Sequence, residues 1–363
     1  MKENNTTWRL LDTGLRNAAQ NMALNKVLLQ SHQQGTSPHT LRFLQFTPCA
    51  LLGFHQSAGQ ELRVDYCRSH GIEIQRRITG GGAIYFDQTQ LGWELYLDKK
   101  TLGTADMAQI AKRICEAAAR AISTLGVDAK FRPRNDIEVD GRKVSGTGGA
   151  FDGDSILYQG TLLLDFDVER MLRVLRIPAE KLSDKAISSA RERVVNIKEL
   201  LGFVPELSLV KQRIAAEFSQ EFGVTFAATQ DLNDMEQDLY NRELPYIQSD
   251  DWIYQHDKPL TDAPLLESII KSEGGLLRTS LLMDANRRRI KQVWITGDFF
   301  VTPKRLIADL EAALKDSLAD ELNLNIKSFF ESYDAEMLML KPVDFENSIR
   351  AAIQSGNAVE PAI

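Results

Sequence analysis

At 363 residues the chain exceeds the usual size of one hydrophobic core, so two domains are expected, one of them above about 200 residues. A formal net charge of −7 argues against general nucleic-acid binding, and 43% hydrophobic with 26% charged residues is ordinary for a soluble globular protein. No run reaches the roughly 18 apolar residues of a membrane helix, and the first residues lead into no signal-peptide core, so a cytoplasmic monomer without membrane contact is the expectation.

Residues 15–31 place Leu15, Ala18, Met22, Val27 and Leu29 loosely on one helical face, ahead of a polar loop over 31–37. Strands are expected at Leu41–Phe46 and Ala50–Phe54, then a short helix over Asp65–His70 ended by Gly71. Glu73–Ile78 reads as a strand delivering three glycines, with further strands at Ala83–Phe86 and Gly92–Leu97. Thr104 can cap a helix running to Leu125, with Ile110, Ile114, Ala118 and Ile122 on one face and Gly126 as its stop. Asp140-Gly141 between Ile137–Val139 and Lys143–Ser145 is a hairpin signal, because both residues tolerate the positive φ of a type I′ turn. A second turn at Asp152-Gly153-Asp154 leads to strands at Ile156–Tyr158 and Thr161–Leu164. Helices follow at Val168–Leu175, Leu207–Glu221 and Asp231–Tyr240.

Prolines and aspartates concentrate over 241–264, which marks a linker drawn at 246–264 between domains 1–245 and 265–363. Beyond it, strands are expected at Leu276–Met283 and Ile290–Ile295, a helix at Lys304–Leu314, and at least one more helix within 326–355. The triple arginine at 287–289 reads as a solvated turn. Cys49, Cys67 and Cys115 are odd in number and widely spaced, which suggests neither a disulfide framework nor a zinc site.

Two stretches carry chemistry. In Arg76-Arg77-Ile78-Thr79-Gly80-Gly81-Gly82-Ala83-Ile84-Tyr85, two guanidiniums run into a turn stripped of Cβ atoms, where backbone N–H groups can approach an anion. A Walker loop or dinucleotide fingerprint would open a helix on its last glycine, whereas these glycines precede an apolar, strand-forming segment. Strand alternation turns Arg76 and Arg77 to opposite sides, with Arg77 expected at the ligand and Arg76 in a structural ion pair. In Gly141-Arg142-Lys143-Val144-Ser145-Gly146, Lys143 is placed to bridge a carboxylate and a phosphate, with the Ser145 hydroxyl two residues on. Asp136, on the opposing strand, could order that lysine or hold a metal.

Together with Asn21-Met22-Ala23-Leu24, Arg134-Asn135-Asp136 and Gln159-Gly160-Thr161-Leu162-Leu163, these stretches resemble the lipoate-protein ligase A family over roughly residues 8–200. The resemblance implies an α+β fold of mixed central sheets flanked by helices, with 265–363 as a small C-terminal accessory domain. It implies that lipoate and ATP, with Mg2+, form lipoyl-adenylate, which is then attacked by a lysine of an acceptor protein. The acceptors it suggests are lipoyl domains of 2-oxoacid dehydrogenases, a glycine-cleavage carrier or a sulfur-oxidation lipoate-binding protein. Carried onto this chain, the catalytic residue is Lys143. The nucleotide and lipoate site is Arg77, Thr79, Gly80, Gly81, Gly82, Ala83, Ile84, Tyr85, Asn135, Asp136, Lys143, Ser145, Gly146, Gly160 and Thr161, with Asp136 also the Mg2+ ligand. Phe86 and Gln159 stand where relatives often carry histidine, and Gly148-Gly149 replaces bulkier residues.

Two other readings compete. One is octanoyl or lipoyl transfer from a carrier protein through a cysteine thioester, which the cysteine-free stretch Lys130–Asn135 disfavours. The other is a non-catalytic partner of lipoyl proteins, against which Arg77 and Lys143 stand.

Overall fold

The computed structural model describes residues 6–133, 135–176, 191–258, 263–284, 286 and 288–357. Arg134, Arg287 and residues 259–262 of the expected linker lie outside them. The chain divides into two compact units: Met1–Leu51, Glu61–Ile78 and Ile84–Ile253 form the first, and Leu52–Gln60, Thr79–Ala83 and Tyr254–Ile363 the second.

In the first unit β1 (Thr6–Arg16), α1 (Ala18–Gln33) and β2 (Thr40–Phe46) form a parallel strand–helix–strand element. β1 also pairs in parallel with β11 (Val224–Thr229), the far edge of an eight-stranded mixed sheet. From β2 the order continues through β6 (Gln90–Asp98), β10 (Ser155–Leu163), β9 (Arg142–Asp152), β8 (Asp136–Val139) and β7 (Ala129–Arg132), all antiparallel. A smaller sheet is ordered β4 (Glu73–Arg76), β3 (Cys49–Leu52), β5 (Ile84–Phe86). The mixed α/β architecture agrees with expectation.

β1 is the strand that helical spacing concealed: Leu15 fits a helical stripe but lies in β1, 55% exposed, and α1 starts only at Ala18. Asn17 caps α1 through a reciprocal box with Gln20, and the Glu73 carboxylate accepts from Ala18 N and Ala19 N at 2.8 and 2.9 Å. Free N–H groups and the positive end of the helix dipole are thereby satisfied by one anion. The 107–123 helix is likewise capped by Asp106 rather than Thr104, whose hydroxyl instead accepts from Asp106 N. Expected separate strands at 156–158 and 161–164 are one strand, β10, and the expected helix ending at Tyr240 runs over Asp234–Ile247 with Pro245 inside it.

The core beneath the sheet joins Leu41, Phe43, Trp93 and Tyr158 to Ile114 and Ile122 and to Ile214 and Phe218 of the Leu207–Phe222 helix. On the opposite face of the sheet, against α1, lies a buried polar network. Arg42, fully buried, donates to Glu94 at 3.0 Å and to Asn21 Oδ1 at 2.6 Å, while Tyr96 and Asn25 donate to the same Glu94. An ion pair this deep is tolerated because hydrogen bonds fill its remaining lone pairs and donors, which gives Asn21 its structural reason.

In the second unit a meander of β12 (Leu266–Ser272), β13 (Gly275–Asp284), β14 (Arg289–Gly297) and a short strand at Ser317–Leu318 carries a core of Leu277, Leu281, Val293, Phe299, Leu310, Phe345 and Ile349. Helices at Leu306–Leu314, Leu322–Ser332 and Pro342–Asn357 belong to this unit.

Candidate functional site

Lys143 is delivered by the β8–β9 hairpin. Asp140 and Gly141 both take positive φ, 51° and 75°, as a type I′ turn requires. The ladder then slips: Ile137 pairs with Ser145 but Glu138 with Lys143, so Val144 is an extra, bulged residue. Val144 and Ser145 are fully buried with Ile137, and Lys143 shares the other face with Asp136 and Glu138. The bulge thus separates Ser145 from Lys143, which plain alternation would have put on one face. The Ser145 hydroxyl has no hydrogen-bond partner among the described residues.

The Lys143 ammonium stands 2.6 Å from Asp136 Oδ1, a close ion pair out of line for a hydrogen bond, so the lysine can turn to another anion without breaking a directional contact. Arg132, which sequence reasoning missed, takes the second Asp136 oxygen at 2.8 Å and Glu138 at 2.7 Å. Both Asp136 oxygens face cations, so it would hold Mg2+ only with Lys143 or Arg132 turned away. Gly146 gives Lys143 room, since a Cβ there would stand 2.8 Å from both Lys143 Cε and Nζ. Thr161 Oγ1 reaches Gly146 N and O at 3.4 Å.

Asn135 and Gly160 hold the scaffold. Asn135 Nδ2 donates to Thr147 O at 2.7 Å and its carbonyl accepts from Thr147 N at 2.9 Å, while a Cβ on Gly160 would collide with the Trp93 indole. Arg76 donates to the Trp252 and Ile253 carbonyls at the end of a short helix, Asp250–Ile253. Arg77 donates to Leu51 O at 3.2 Å, and burial lowers its pKa to about 10, which leaves it a cation at neutral pH. Tyr85 donates to Asp87 at 2.9 Å and is pushed up by burial and by that carboxylate. Ile84 is half-buried in β5, and Phe86 packs on Phe46 with ring centroids 4.4 Å apart.

Thr79–Ala83 belongs to the second unit. There Thr79 O accepts from Phe54 N at 2.9 Å, Gly81 takes φ +91° and donates its N–H to Phe299 O at 3.2 Å, and a Cβ on Gly80 would run into that same carbonyl. Asp298 lies beside Gly82. An N–H that sequence reasoning aimed at a bound anion thus meets a carbonyl of the chain itself; Gly80 is required by the close passage of the 298–300 backbone and Gly81 by its positive φ. Nothing local in the sequence joins these distant segments.

The model of the lipoyl protein ligase A/B catalytic domain matches residues 17–219, the span that carries both the glycine turn and the Lys143 hairpin. The chain belongs to this family. Among its relatives, the octanoyltransferase LipM of Kyrpidia tusciae is 27% identical over 69% of this chain and 99% of its own length. Lipoate--protein ligase 1 of Staphylococcus aureus is 28% identical over 75% of this chain and 79% of its own. In structure, the chain resembles the bi-partite lipoate protein ligase from Thermoplasma acidophilum, described with its E2 lipoyl domain, at TM-score 0.63 and 25% identity, over 70% of this chain and 99% of that one. The family therefore holds both ligases and octanoyltransferases.

Proposed function

We propose that the protein is an ATP-dependent lipoate-protein ligase. One observation carries the choice over a thioester-forming transferase: all three cysteines are buried, with no thiolate available. Cys115 sits 3.2 Å from Thr147 Oγ1 and 3.3 Å from Tyr158 OH, and burial raises its thiol to about 11. Burial lifts Cys67 to about 11 and Cys49 well above its ordinary value. A thiol so shifted is almost wholly protonated near neutrality and cannot attack an acyl donor.

In this reading the lipoate carboxylate attacks the α-phosphorus of ATP, an O–P bond forms, and the bond to the β-phosphate oxygen breaks to release pyrophosphate. The Lys143 ammonium turns from Asp136 to the negative charge growing on phosphorus, a role in which a fixed cation contributes several kcal/mol. The acceptor lysine's ε-amine then attacks the acyl carbonyl, an amide forms, and AMP leaves with the anhydride oxygen. In the first unit Arg77, Ile84, Tyr85, Ser145, Gly146 and Thr161 are proposed to line the site; for Thr79–Ala83 a nucleotide contact is proposed from the sequence alone. The acceptor is a lipoyl domain, the class of partner with which the Thermoplasma ligase is described.

The test is exchange of labelled pyrophosphate into ATP, expected only with lipoate present, followed by mass increase at one lysine of an apo lipoyl domain. Lipoylation from an acyl carrier protein without any exchange would overturn the proposal.

A further inference from the structure

Residues 193–195 run as an extended strap beside β9. Lys143 N donates to Arg193 O at 2.8 Å, Val195 N donates to Lys143 O at 2.9 Å, and Lys143 is the parallel bridge partner of Val194. The strap therefore takes both polar groups of the Lys143 backbone on the side away from β8, where the bulge has loosened the ladder. A lysine backbone so held fixes where its flexible side chain starts.

The strap is anchored at the next residue. Asn196 stands at the N-cap of a short helix, Ile197–Leu201, with extended backbone at φ −93° and ψ 150°. An asparagine in that position ordinarily accepts from the first turn of its helix, a bond whose loss costs about 1 kcal/mol. Asn196 makes no such bond. Its Oδ1 instead accepts from Phe166 N at 2.8 Å and its Nδ2 donates to Phe166 O at 3.0 Å, one amide engaging both backbone groups of a residue just beyond β10. Val195 and Ile197 on either side are buried in the core. Burial alone would hold the strap down, whereas two opposed hydrogen bonds also fix its rotation, which sets the direction of the Val195 N–H and Arg193 C=O that Lys143 uses.

We infer that Asn196 is a positioning residue for Lys143, acting through the 193–195 strap rather than by contact with substrate. Its catalytic consequence rests on the ligase reading; its effect on Lys143 does not. The decisive variant is Asn196→Ser, because serine can cap the helix as asparagine normally would but cannot engage both backbone groups of Phe166. Asn196→Ala, lacking both, serves as comparison.

In Asn196→Ser the melting temperature is expected to fall less than in Asn196→Ala, while kcat for lipoate-dependent exchange falls about tenfold or more, with KM for ATP little changed. Acetic anhydride labelling read by peptide mass spectrometry is expected to rise several-fold at Lys143 and to stay constant at Lys26 and Lys130. Unchanged Lys143 labelling in both variants overturns the inference, as does a rise shared equally by all three lysines, which would mark general loosening. A wild-type protein without exchange, but with Lys143 labelling that responds to Asn196→Ser, would remove the ligase reading and leave the positioning role standing.

Discussion

Lys143 and Gly146 share one space: the lysine folds back along β9 so that a Gly146 Cβ would stand 2.8 Å from both its Cε and its Nζ. A methyl there must displace the ammonium from Asp136. Gly146→Ala is therefore expected to lower kcat for pyrophosphate exchange about 100-fold, the scale on which an ångström of misplacement acts. Circular dichroism melts should show little loss, since the long, half-exposed lysine can yield where a packed core could not. A variant with normal exchange would show that the folded-back geometry is not the working one.

Removing the ammonium itself separates catalysis from stability. The Lys143–Asp136 pair is partly exposed on both sides, 36% and 18%, so it contributes no more than about 1 kcal/mol to folding. Lys143→Ala should then keep its melting temperature within a few degrees but lose adenylate formation by roughly 100-fold or more, as removal of one charge-stabilising donor does elsewhere. Near-normal exchange in this variant would move the catalytic assignment away from Lys143.

Local chemistry made part of this arrangement legible. The Asp140-Gly141 turn was readable because positive φ at two successive residues demands those side chains. The bulge at Val144 was not, because it depends on what β8 offers across the hairpin. β1 escaped for a related reason: its parallel partners, such as Val224 opposite Thr6, lie far along the chain, and Leu15 mimics a helical stripe. Pro245 reads as a helix breaker, yet the Asp234–Ile247 helix passes through it, tied down by Arg9 at Glu236 and Lys26 at Glu243. Neither Phe299 beside Gly80 nor Arg193 beside Lys143 leaves any mark in a single sequence, since backbone carbonyls have no side-chain signature.

A pair of imidazoles, His32 buried and His39 half-buried, predicts the acid limb of the stability profile. His32 Nδ1 lies 2.6 Å from Ser155 Oγ and its Nε2 lies 2.8 Å from His39 Nδ1, while His39 Nε2 meets Thr101 Oγ1 at 3.1 Å. Burial, then the neighbouring His39, lowers His32 from 6.5 to about 4, and burial lowers His39 despite Asp98. Between those values the unfolded chain binds more protons than the folded one, so stability must fall as pH drops from about 6.5 towards 4. Urea titrations at pH 7.5 and pH 5 should show that fall in wild type and a shallower one in His32→Gln. Equal slopes for the two proteins would remove the pair as its source.

The second unit carries the opposite dependence. Glu311 accepts from Ile295 N at 2.6 Å, and its burial raises the carboxyl from 4.5 to about 7, so the fold favours the protonated acid. Stability from this group is complete below pH 4.5 and is lost as pH rises through about 7, because the unfolded chain has by then released the proton at no cost. Glu311→Gln keeps an oxygen for the Ile295 N–H and has no charge to bury. It is expected to raise the melting temperature of the second unit at pH 8 and to change it little at pH 5, as read by calorimetry across that range. A gain of the same size at both pH values would mean that packing, and not ionisation, separates the two side chains.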